Sequence, residues 1–361
     1  MASEKPKRIL GIGWDIGGWG GLGKGKNQAF AAIELDLSQP EPTPRWIGLN
    51  TFPLRERLFD LEGVSRDKLG RDKAFEKVLD AQGELRESLN FEQYDAVVVG
   101  IDSPLHFPKG FVDFVNQSGA YAEEFADFSK EELYLQLGFR TCDLFMNRPA
   151  AQLGFDRRAD GKAPIRHRVF SPTFQSFTNN VTVAMAQLRY WKRLYGLHID
   201  PLDGASTRDQ TRFALEVYPA VMKSYASPSE DNDAQNLEKQ AIFQKYADLI
   251  AQIPEALTEQ QRISCLPMDL SESFDRLYRL RDSKGMVSHD DEVDAAICAI
   301  MALGHAASTF ELETDVPPLH THADVASYAG KNAAADDLQL DIKQIEREGW
   351  IYYPRFSGSL E

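Results

Sequence analysis

Five acidic residues have the types and spacing to do chemistry in this chain: Asp15, Asp102, Glu216, Asp291 and Asp294. Asp15 closes the apolar run 8–14, Asp102 closes the run 94–101, and Glu216 lies late in the run 212–218. Asp291 and Asp294 open a helical apolar pattern, and residues three apart on a helix share a face. Acids at strand ends, met by two more at the start of a helix, would form a cluster of hard oxygen donors that suits magnesium or manganese. Two such ions about 3.5–4 Å apart can activate a water and stabilise the leaving oxygen in phosphodiester hydrolysis. Each acid also has a plain structural reading. Aspartate at a strand end starts turns, and acids in a first helical turn complement the macrodipole. Asp294 resists that reading, because it sits in the second turn between Val293 and Ala295-Ala296-Ile297, where a buried carboxylate needs a partner.

The glycine-rich turn 17–25 follows Asp15 directly. Gly18-Trp19-Gly20-Gly21-Leu22-Gly23 has the spacing of a dinucleotide fingerprint, and 20–26 fits a phosphate loop up to its last position, where Asn27 stands in place of a hydroxyl. Both motifs require a helix next, whose N-terminus binds the phosphate. Here 27–33 reads as a strand. Two readings stay open: a hairpin tip in which glycines accept positive φ, or a hairpin whose amides, with Lys24 and Lys26, touch a phosphate backbone beside the acidic site.

Other polar residues carry weaker signals. Arg140, with Asp143 close by, could meet a scissile phosphate or form an ion pair that pins its segment. Arg157, Arg158, Lys162, Arg166, His167 and Arg168 make one basic stretch, either a backbone contact for nucleic acid, with Arg166 and Arg168 as the substrate-binding candidates, or a solvated loop. His289 stands beside the aspartates, to assist a proton transfer or to cap the helix. His320 and His322 lie in a proline-rich segment without nearby metal partners. The three cysteines, Cys142, Cys265 and Cys298, are too scattered for a disulfide framework or a thiolate zinc site.

The elements that must position these groups follow from hydrophobic patterning. Strands are expected over 8–14, 29–35 and 46–52, a three-strand antiparallel meander, then a surface helix over 69–89 and a doubly covered strand over 94–101. Residues 107–206 turn irregular and mainly helical, with 173–195 the most regular part. A buried strand over 212–218 and helices over 234–253 and 289–307 complete the pattern. The order implies an α/β fold: a mixed sheet of the antiparallel meander plus two parallel strands, flanked by helices. One domain spans 1–361, its core in about 8–106 and 207–308, with a helical insertion at about 107–206 and a C-terminal extension at 309–361.

Taken in order, these motifs resemble a known family. Gly11-Ile12-Gly13-Trp14-Asp15, Gly100-Ile101-Asp102-Ser103-Pro104-Leu105, Arg140-Thr141-Cys142-Asp143, Glu216-Val217-Tyr218-Pro219, Asp290-Asp291-Glu292-Val293-Asp294-Ala295 and Glu348-Gly349-Trp350-Ile351-Tyr352 are similar to domain-of-unknown-function family 429. Its members are described as predicted nucleases of ribonuclease-H-like fold, distantly similar to Holliday-junction resolvases. The resemblance runs from about residue 8 to 354. It implies a ribonuclease-H-like fold, with Asp15, Asp102, Asp291 and Asp294 as ligands of Mg2+ or Mn2+ and Glu216 as an additional acid. The family usually has a shorter loop after its first aspartate, so the 17–25 segment departs from the pattern.

Composition limits the partners. The chain has 361 residues and a formal net charge of −15, which argues against broad affinity for nucleic acid, since phosphate neutralisation by Lys and Arg supplies most of that binding. Any such contact should be local, confined to the hairpin and the basic stretch. No run approaches the roughly 20 apolar residues of a membrane span, and the first residues lack a signal-peptide pattern; the expectation is a cytoplasmic protein with no membrane partner. Three functions compete: a metal-dependent nuclease, a hydrolase of phosphodiester bonds; a non-catalytic metal-binding or regulatory module on the same fold; and an actin-like ATP phosphotransferase. The last needs a second copy of the core, and the sequence contains no repeat.

Overall fold

The computed structural model describes residues 5–16, 28–49, 91–116, 129–146, 156–157, 165–166, 172–173, positions within 181–193, 195–202, 210–225, 233–253, 288–332 and 340–356. The expected helix over 69–89 and the 17–25 turn, with Lys24 and Lys26, lie outside them.

Three strands open the chain: β1 (Arg8–Ile16), β2 (Gln28–Asp36) and β3 (Arg45–Leu49), each antiparallel to the next. They are the expected meander. β4 (Ala96–Asp102) pairs parallel with β1, and its Val-Val-Val core is buried on both faces, as a central strand must be. The helices α1 (Lys109–Asn116), α2 (Lys130–Gly138) and α3 (Thr141–Met146) follow, then a two-stranded ribbon of β5 (Asp156–Arg157) and β6 (Ile165–Arg166). Ser129 caps α2 in a capping box with Glu132, which satisfies two otherwise orphaned amides.

The segment expected as an insertion returns to the sheet. β7 (His198–Asp200) pairs parallel with β8 (Arg212–Val217), and β8 pairs parallel with β4 on its other edge. Pro219 starts α4 (Pro219–Tyr225), followed by α5 (Asp233–Ala251) and α6 (Ser288–Phe310). After α7 (His322–Asn332) and α8 (Ile342–Glu348), β9 (Ile351–Tyr352) takes up the edge of β8 just beyond the end of β7. The sheet therefore has seven strands in the order β3-β2-β1-β4-β8-β7, with β9 beside β8. Two short parallel strands are added to those expected. One comes from the segment treated as an insertion and one from the segment treated as an extension, so both boundaries cut through the core.

Side-chain alternation divides the core into two layers. Leu10, Ile12, Trp14, Val97, Val99 and Ile101 face one way, toward Leu188, Trp191 and Tyr195. Ile9, Ala31, Ile33, Val98, Phe213 and Leu215 face the other way, toward α5 and α6. The stretch Val293–Phe310 of α6 is long and apolar enough to cross a membrane by composition alone, and 83% of it is buried inside this fold. A buried polar group joins the far edge to α6: the Tyr352 hydroxyl donates to Asp200 Oδ2 at 2.9 Å, and His305 Nε2 lies 3.5 Å from the same oxygen.

Candidate functional site

Glycines in β1 and β4 decide how close α6 comes and which way it runs. A Cβ built on Gly13 would stand 1.8 Å from the Ala295 carbonyl oxygen, one on Gly11 2.8 Å from that of Ala299, and one on Gly100 2.5 Å from that of Cys298. Only residues without a side chain fit there. As β1 advances from 11 to 13, its neighbours on the helix step back from 299 to 295. The helix is antiparallel to β1 and β4, and its N-terminus comes to their C-terminal ends.

That is where the first two acids stand. Asp15 and Asp102 are direct partners across the parallel β1–β4 pair, so their side chains leave the same face of the sheet, the face α6 covers. Asp15 is buried and Asp102 partly so. Two strand residues advance about 6.6 Å and four helix residues about 6 Å. Stepping on from Gly13 and Gly100 by that ratio brings position 291 over Asp15 and position 294 over Asp102. Both positions lie in α6; Asp294 is partly buried, and the side chain of Asp291 lies outside the described residues. The positive end of the helix dipole also points at this corner, which favours anions there.

The donors are carboxylates of the hard-oxygen class that magnesium and manganese take. Two of them side by side repel and favour a cation between them. Among the described residues, however, no three His, Cys, Asp or Glu side chains come together as a metal-holding group. In donor type the set fits a divalent ion.

Glu216 does not join this set. Its neighbours Leu215 and Val217 pack on the α6 side, so Glu216 points to the opposite face, where Arg140 takes it. Arg140 Nη1 and Nη2 each donate to one Glu216 oxygen at 2.6 Å, while Nε and Nη2 donate to Asp143 at 3.0 and 2.7 Å. Arg140 is fully buried. Burial alone would lower its pKa, but the surrounding negative groups, Asp143 foremost, outweigh this and hold it well above the ordinary arginine value. Of the two readings of Arg140, the structure has the ion pair, and a buried, fully engaged guanidinium is not presented to a substrate phosphate. Cys142, next in the chain, is a free thiol whose pKa burial pushes well up, against the pull of Arg140. It stays protonated and is a poor nucleophile.

A residue with no role assigned from sequence completes this cluster. The buried carboxylate of Glu348 accepts from Lys109 N at 2.7 Å through Oε1, and from Thr141 N and Oγ1 at 2.8 Å through Oε2. Those amides open α1 and α3, and first-turn amides have no partner within their own helix. The available signal was Glu348's own place: an acid in the last turn of α8 opposes that helix's dipole and so implies a tertiary partner.

The remaining candidates are dispersed. Arg166 ends β6, with its side chain outside the described residues, and Arg168 lies outside them altogether. His289 belongs to the first turn of α6, and its side chain too is undescribed. His320 is buried against the Tyr353 ring. Burial lowers its pKa to about 4, which Asp324 opposes and Arg355 assists. His322 Nε2 lies 3.4 Å from Glu346 Oε1. Comparison of the chain with protein-family models, curated proteins and solved structures gives no match.

Proposed function

We propose that this chain is a divalent-metal-dependent nuclease built on a ribonuclease-H-like sheet. The observation that carries the reading is the direct pairing of Asp15 with Asp102 at the strand ends, under the N-terminal turns of α6. The sheet supports it: an antiparallel meander whose first strand pairs parallel with β4 is the arrangement that the resemblance implies. Asp15 and Asp102, with Asp291 and Asp294 from α6, would hold Mg2+ or Mn2+. Such ions, when bound, supply a water acidic enough to attack phosphorus and a charge that stabilises the leaving oxygen. The chain's own part is to hold the acids in register and to present a helix N-terminus to the phosphate anion. Lys24, Lys26, Arg166 and Arg168 are the cations proposed for backbone contacts beyond it, and the location proposed with this activity is the cytoplasm.

The test is Mn2+-dependent cleavage of single-stranded, duplex, hybrid and four-way substrates by the wild type and by Asp294→Asn. Cleavage of at least one substrate, abolished in the variant, supports the reading. No cleavage of any by a folded, Mn2+-loaded protein overturns it. In that case the second reading holds: a non-catalytic metal-binding or regulatory module on the same fold.

A further inference from the structure

The segment 103–108, which leads from Asp102 into α1, is held from outside by two buried carboxylates. Near its start the Leu105 amide donates to Glu216 Oε2 at 3.0 Å. At its far end the Lys109 amide donates to Glu348 Oε1 at 2.7 Å. The same two acids are joined to each other through adjacent residues, since Arg140 grips Glu216 and Thr141 donates to Glu348. Arg140 Nη1 also reaches the Glu348 carbonyl at 3.5 Å. The circuit therefore runs from β8 to the turn after Asp102, into α1, across to the end of α8 and back through the start of α3. Glu216 itself points to the sheet face opposite the one on which Asp15 and Asp102 stand.

We infer that Glu216, clamped by Arg140, is a positioning residue for Asp102. It fixes the chain three residues beyond that carboxylate and so makes the geometry of the acidic pair depend on segments from the middle and the end of the chain. The inference rests on the reading of Asp15 and Asp102 as a divalent-ion site. A ligand must be held to within about 0.5 Å of its productive place, and groups that orient metal ligands from behind are typically worth 10–100-fold in affinity. Glu216 is accordingly a support of the site, although its charge never enters it.

The test is a Mn2+ titration of the full chain, with free Mn2+ followed by electron paramagnetic resonance, for the wild type, Glu216→Ala and Glu216→Gln. Glutamine keeps an oxygen for the Leu105 amide, and alanine does not. The expected result is roughly 10–100-fold weaker binding in Glu216→Ala, with most of the loss restored in Glu216→Gln. A folded Glu216→Ala that binds Mn2+ like the wild type overturns the inference and leaves the ion site standing. A wild type that binds no Mn2+ removes the ion site and the inference with it. Should Glu216→Ala not fold, amide exchange in the wild type decides: Leu105 and Lys109 should gain protection when Mn2+ binds, and unchanged exchange with Mn2+ bound overturns the inference.

Discussion

Asp15 and Asp102 are direct cross-strand partners, each at the end of a parallel strand and both on the face that α6 covers. Their register follows from the pairing of two apolar strands along seven consecutive positions, so the core brings the acids together. Under the proposed reading, a cation held between them would offset the repulsion of two neighbouring carboxylates.

The close approach of α6 makes Gly13 irreplaceable. Its added Cβ would meet backbone at 1.8 Å, which cannot swing aside as a side chain can. Gly13→Ala should cost about 3 kcal/mol or more, at or beyond the upper end of ordinary overpacking. Gly330, inside α7, has nothing within 4 Å of its added Cβ, and Gly330→Ala should stabilise by about 0.5–1 kcal/mol through helix propensity. Urea unfolding of the two variants checks both signs.

Among the described residues, Arg140 is the single buried cation facing the buried acids Asp143 and Glu216, with Glu348 beside them. Removing one partner of a buried ion pair strands the other, at about 3–5 kcal/mol, so Arg140→Ala should unfold the protein or nearly so. Arg140→Lys keeps the charge and loses the two-pronged fork; its stability should fall between alanine and wild type in a denaturant series.

His320 gives stability a pH dependence of known sign. Buried beside Tyr353, with its pKa lowered to about 4, it remains neutral in the native protein where the unfolded chain, with a pKa near 6.5, takes up a proton. Its contribution is complete above about pH 6.5 and is lost as pH falls from there to about 4, up to roughly 3 kcal/mol in all. Burial lowers the His305 pKa in the same direction, against Asp200. His320→Phe should flatten this part of the profile in unfolding curves taken from pH 7 to 4.

Patterning revealed the large elements and missed the small ones for definite reasons. The meander, β4, β8 and α6 are long enough for a period to show. β7 has three residues and β9 two, too few for any alternation, so the segments containing them read as an insertion and an extension. Glu216, expected as an additional acid beside the four ligands, points the other way, because β8 is buried on both faces and in such a strand the sequence does not betray which face a residue takes. The place of Asp15 and Asp102 at strand ends is legible because each ends an apolar run. That Gly11, Gly13 and Gly100 stand under a helix is not, since glycine serves turns and close contacts alike.

Neutralising one acid of the pair tests its use directly. Asp102→Asn keeps the shape of the side chain and removes the charge that the proposed ion would meet. The experiment is a thermal unfolding series of wild type and Asp102→Asn, with and without Mn2+. Ligand that binds only the native state raises stability by about 2.7 kcal/mol at a hundred times its Kd. The account predicts a wild-type Tm that rises with Mn2+ concentration and an Asp102→Asn Tm that does not respond. Equal shifts in the two proteins, or none in the wild type, would contradict it.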